Sequence, residues 1–148
     1  MIKTNNKGFS LVELIIVIAI MAILIGVLAP QYIKYVEKSR VSADKDLLDS
    51  IYNACTIASA DPDVTKNVPA NNTATVTTSV IKSGSDETDW GVAVYNTLGA
   101  DIATIQKKLK SKDAKNGGSS ASITISCGAN GDFTVKAGKI TVPANSAS

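Results

Sequence analysis

The chain has 148 residues, about one domain's worth, with 45% hydrophobic side chains but only 5% aromatic, so any compact part must rest on aliphatic packing. It contains no histidine, the commonest general base and transition-metal ligand, which sets aside most hydrolase triads and zinc enzymes and argues against an enzyme. A formal net charge of +2 offers no strong field for nucleic acid, and Cys55 and Cys127 are too far apart in sequence for a dense disulfide scaffold or a metal knuckle.

The first segment, Met1 to Gly8 (MIKTNNKG), is short and polar and carries Lys3 and Lys7. Behind it, Leu14 to Ala29 reads LIIVIAIMAILIGVLA without one charged side chain. From Phe9 to Ala29 a helix would span about 31 Å at roughly 1.5 Å per residue, the hydrocarbon thickness of a bilayer, and the core helices of soluble proteins are seldom apolar on every face over that length. The leader lysines predict an N-in, C-out topology. The apolar run leads into Pro30 and Gln31 rather than a small-residue cleavage site, so the run is expected to stay in the mature protein. Glu13 breaks the pattern: near hydrocarbon a carboxylate costs a few kcal/mol unless it is paired, so it calls for a cationic partner.

Gln31 to Ala60 contains no glycine or proline, and Leu47, Ile51, Ala54 and Ala58 recur at helical spacing, widened by Leu48 and Cys55. With Lys34, Lys38, Arg40, Lys45, Asp46 and Asp49 as solvated positions, this segment reads as the amphipathic half of the same helix, ended by Asp61-Pro62. Asp61 to Asp89 reads as a long surface loop with one short strand at most. Trp90 to Tyr95 reads either as a short strand or as the lead-in to a helix over Asp101 to Lys110. Three alternating runs close the chain, at Ile123–Ile125, Phe133–Val135 and Ile140–Val142, separated by Asn130-Gly131 and Gly138, and they predict an antiparallel meander that needs the helical stripe as its cover. The expected fold class is α+β: a long N-terminal transmembrane and stalk helix packed by a small C-terminal sheet. The expected organisation is a leader 1–8, an apolar helix 9–30, an amphipathic half 31–60 and an α+β head 61–148.

Lys7-Gly8-Phe9-Ser10-Leu11-Val12-Glu13, followed by the apolar helix, resembles the type IV prepilin signature K-G-F-[ST]-L-x-E; the resemblance covers Lys7 to about Arg40. It implies the pilin fold, cleavage by a prepilin peptidase between Gly8 and Phe9, N-methylation of Phe9 by the same enzyme, and attraction between Glu13 and the Phe9 amino group of a neighbouring subunit during assembly. It further implies a helical homo-oligomer extruded from the inner membrane to the cell surface by an assembly platform with minor pilins, serving adhesion, motility or surface attachment. The same N-terminus occurs in pseudopilins of type II secretion and DNA-uptake machines, and the head sequence does not separate the two. In place of the family's usual mid-helix glycine this chain has Ala22, with its glycine at Gly26; Pro30 deprives Gly26 of a helical hydrogen bond, so a kink or a melted turn is expected over Gly26 to Pro30. A rival from another class is a membrane-anchored binding module that never polymerises.

The remaining motifs read as surface or core. Cys55 and Cys127 are compatible with a disulfide in an exported head and equally with two buried thiols. The cations Lys107, Lys108, Lys110, Lys112 and Lys115 suit a helix C-terminus, and loss of the leader removes Lys3 and Lys7 from the 15 cationic side chains, so that cations and the 13 acids balance and no specific nucleic-acid binding is expected. Asp86-Glu87-Thr88-Asp89 has acids but no full calcium loop, although some related pseudopilins bind that ion, so no metal or cofactor is expected. Asn71-Asn72-Thr73 is formally a glycosylation sequon.

Overall fold

The computed structural model describes residues 8–143. The leader residues 1–7, Lys3 and Lys7 among them, lie outside the described residues. Contacts divide the chain between Val36 and Glu37 into an N-terminal unit and a head. One helix, α1 (Leu11–Ala60), supplies the described secondary structure of the first unit and the opening element of the second. It is unbroken, with Gly26 and Pro30 inside it and no melted turn. In the first unit every residue from Leu11 to Tyr35 is exposed, so the aliphatic side chains that favour the helix bury nothing in the isolated chain.

In the head α1 buries Leu48, Ile51, Ala54, Cys55 and Ala58, with Leu47 half-buried beside them. Their cover is a four-stranded antiparallel sheet in the order β1 (Thr73–Val76), β2 (Ile123–Cys127), β3 (Phe133–Ala137), β4 (Ile140–Val142). The three C-terminal strands stand where the alternation placed them. Ile123, Ile125, Cys127, Phe133, Val135, Ala137, Ile140 and Val142 point into the one core, and the residues between them point outward. The extra edge strand β1 pairs with β2 through Thr73 opposite Cys127 and Val76 opposite Ile125, with a register break between them. A single 3-10 turn, Thr78–Val80, comes after it.

Trp90 to Tyr95 is helical: α2 spans Trp90–Leu98, which overturns the strand alternative. Asp89 caps it by accepting from the amides of Gly91 at 2.8 Å and Val92 at 3.3 Å, and Gly99 closes it in the left-handed conformation at φ 67°. Trp90 is fully buried, stacks on Phe133 with ring centroids 5.7 Å apart, and donates its indole N–H to the Ser59 hydroxyl at 2.8 Å. A short helix α3 (Ile102–Lys108) comes next, capped by Asp101 and burying Ile102 and Ile105. Its last turn carries Lys107 and Lys108, favourable at the negative end of the helix.

Candidate processing and assembly site

Gly8, Phe9 and Ser10 precede the first turn of α1, and all three are exposed, Phe9 at 93%. A side chain added at Gly8 would meet nothing within 4 Å. The fold therefore gives no steric reason for glycine there.

Ser10 is the residue before the helix and Glu13 its third helical residue, the S-x-x-E arrangement of a capping box. The Glu13 carboxylate, through Oε2, accepts a hydrogen bond from the Ser10 backbone N–H at 3.0 Å. In sequence Glu13 is a lone acid needing a cation; in the single subunit it satisfies a backbone donor at the positive end of α1, which lowers the cost of placing it beside the apolar run. Within its own chain this acid is held at Ser10, the residue that follows Phe9.

The head carries a second arrangement that sequence reasoning missed. Asp44 on α1 is only 2% exposed, yet among the described residues it has no ion pair: its carboxylate accepts from the backbone N–H of Lys110 at 3.0 Å and of Ser111 at 2.7 Å. Two turns earlier, Glu37 accepts from the Lys112 amide. The buried Ser111 hydroxyl accepts from the Ala114 amide at 3.1 Å, and the Asp113 carbonyl accepts from the Lys139 amide at 2.9 Å. The two acids thus fasten the segment after α3 to α1, and that segment holds the β3–β4 turn. The seven-residue spacing of Glu37 and Asp44 was the available signal, since it places both on one helix face.

The other candidate residues fall apart in space or are occupied. Cys55 on α1 and Cys127 at the end of β2 face the same core as free buried thiols, with the bridge unformed; burial pushes the Cys55 thiol up to about 12, and burial, with Asp132 nearby, also raises Cys127. Asp86 accepts from the Lys66 ammonium at 2.7 Å and from the Thr88 hydroxyl at 2.6 Å, which holds its carboxyl down to about 2. Asp89 is taken up by α2 and by the Asn67 amide. These acids are spent on the chain itself, and among the described residues no cluster is arranged to hold a metal ion. Asn71, in the sequon, is exposed just before β1.

Residues 3–29 match the family described as the prokaryotic N-terminal methylation motif. Over 50 residues the chain is 43% identical to the type IV major pilin protein PilA of Myxococcus xanthus, covering 34% of this chain and 23% of that protein. Over 40 residues it is 50% identical to the type IV major fimbrial protein FimA of Dichelobacter nodosus, covering 27% and 26%. With the fimbrial protein EcpC of Eikenella corrodens it is 32% identical over 138 residues, 89% of this chain and 88% of that protein. The chain belongs to the type IV pilin family. It spans about a quarter of the first two pilins and nearly the whole of the third, so likeness to this family extends through the head. No solved structure matches it. The long apolar helix and the small antiparallel sheet are those of the α+β pilin fold, and α1 contains a stretch long and apolar enough to cross a membrane.

Proposed function

We propose that the chain is a structural subunit of a type IV pilus and that Gly8, Phe9 and Glu13 are its processing and assembly residues. Before assembly the precursor is a single-pass membrane protein with its leader in the cytoplasm. A prepilin peptidase hydrolyses the Gly8–Phe9 peptide bond, which frees the Phe9 amino group, and the nitrogen is then methylated. Glu13 exchanges the Ser10 amide for the new ammonium of a neighbouring subunit, and only one stagger of adjacent helices brings those two charges together. Packing of α1 against α1 supplies the energy, because apolar side chains exposed from Leu11 to Ile33 gain the full hydrophobic term once the fibre leaves the bilayer for water. Gly26 and Pro30 mark the place where α1 bends or unwinds within the fibre. The assembly platform and minor pilins are its partners in extrusion, and the chain is the substrate of an enzyme rather than an enzyme.

The observation that carries this reading is the conjunction of an exposed Gly8–Phe9 bond with Glu13 at the head of a wholly exposed apolar helix. The names of the relatives, major pilins and fimbrial proteins, favour a pilus over a pseudopilus. Glu13→Ala is the test: the variant is expected to be cut and inserted normally while surface filaments fall about tenfold or more, since the register of adjacent helices is lost without the pair. Undiminished filaments in Glu13→Ala would remove Glu13 from assembly.

A further inference from the structure

One face of the head carries a basic cleft. Between α1 and the end of α3 lies a cavity of about 520 Å³ whose charged lining is Arg40, Lys107, Lys108, Lys110 and Asp44. The Asp44 carboxylate is already engaged by the amides of Lys110 and Ser111, and Arg40 makes only a 3.7 Å contact with Glu37. Among the described residues none of the three lysines is within ion-pair distance of a carboxylate.

Five acids, Asp61, Asp63, Asp86, Glu87 and Asp89, collect elsewhere in the same unit. Asp61 and Asp63 come just after the C-terminal end of α1, and the loop bearing Asp86 and Glu87 is stitched beside them by the amides of Thr65 and Lys66 donating to the Thr88 carbonyl at 3.0 Å each. Among the described residues the ion pair of this corner is that of Lys66 with Asp86. Asp61, Asp63 and Glu87 are exposed and, among the described residues, without ion pairs.

Asp44 and Asp61 stand about 25 Å apart along α1 at roughly 1.5 Å per residue, so the basic cleft and the acidic corner cannot meet within one subunit. In a second copy displaced along the helix axis by that order of distance they can. We infer that the cleft of Arg40, Lys107, Lys108 and Lys110 receives the acidic corner of Asp61, Asp63 and Glu87 from another copy of this chain. Complementary patches at two ends of one body make a heterologous contact that repeats without closing, which is the geometry of a fibre. The loss of Lys3 and Lys7 with the leader leaves no net charge on the subunit to oppose that approach. The inference rests on the pilus-subunit reading and adds to it the head contact that sets the stacking.

The test uses cells producing the full chain. Lys107→Glu with Lys108→Glu, and separately Asp63→Lys with Glu87→Lys, place like charges face to face, and each pair is expected to lower filament recovery about tenfold. All four side chains are exposed, so the head stays folded. The four changes combined restore filaments, and Lys108→Cys with Asp63→Cys gives a ladder of disulfide-linked subunits in filaments under oxidation. Recovery unchanged by either reversal, or a combined variant no better than its parents, overturns the contact. So does a lysine reversal that abolishes binding of labelled DNA by filaments while their yield is unchanged, because the cleft would then serve a polyanion. Wild-type cells that make no filament overturn the pilus reading, and the contact falls with it.

Discussion

Asp44 illustrates what a helical periodicity hides. Counted as a carboxylate it belongs on the solvated side of α1, but it is buried and meets the ends of two backbone N–H groups, Lys110 and Ser111. Asp44→Ala leaves both donors unsatisfied in the core, and should cost about 2–4 kcal/mol in denaturant unfolding of the mature chain in detergent. A loss below about 0.5 kcal/mol, the range of ordinary surface substitutions, would contradict the clamp. Glu13 was legible as an anomaly, and its bond to Ser10 was written in the S-x-x-E spacing. Cys55 and Cys127 were legible as core residues, while their bonding was not, because sequence gives no relative position for a helix and a strand.

At the scale of elements, local pattern carried α1 and the three C-terminal strands, whose faces alternate as Ile123, Ile125, Phe133 and Val135 require. It left Trp90–Tyr95 open between a strand, which the alternation of Trp90, Val92 and Val94 suits, and the lead-in to a helix; the caps at Asp89 and Gly99 decide for a helix of its own. It allowed one short strand within Asp61–Asp89, where β1 lies, but the pairing of β1 with β2, far along the chain, leaves no local trace. Two glycines at turns separate backbone strain from steric contact. A side chain at Gly99, φ 67°, meets nothing within 4 Å, whereas at Gly138, φ 57°, it would collide with the Asp113 carbonyl oxygen. Gly99→Ala should therefore cost about 1 kcal/mol and Gly138→Ala several, read from the same unfolding experiment; equal costs would contradict the docking of the β3–β4 turn on the segment after α3. The Lys66–Asp86 link has a pH signature. With the Asp86 carboxyl lowered from 3.8 to about 2, its stabilisation is complete above about pH 4 and is lost as pH falls through about 2. Asp86→Asn should unfold with a smaller acid dependence between those values, and the difference should be slight because the pair is exposed. An unchanged acid limb would remove the link from the fold.

The molecule has a head with its own core and an N-terminal unit in which every residue from Leu11 to Tyr35 is exposed. From Leu11 to Ile33 the apolar side chains stay exposed, a surface that only lipid or other helices can cover. Pilin family membership, an exposed Gly8–Phe9 bond and an acid at the start of that helix are what the proposal of a subunit made competent by leader removal rests on. The mass of the N-terminal peptide in filaments sheared from the cell surface tests this most directly. The expected peptide begins with N-methyl-phenylalanine at Phe9; filaments built of chains that still begin at Met1, or protein confined uncut to the membrane fraction, would contradict it.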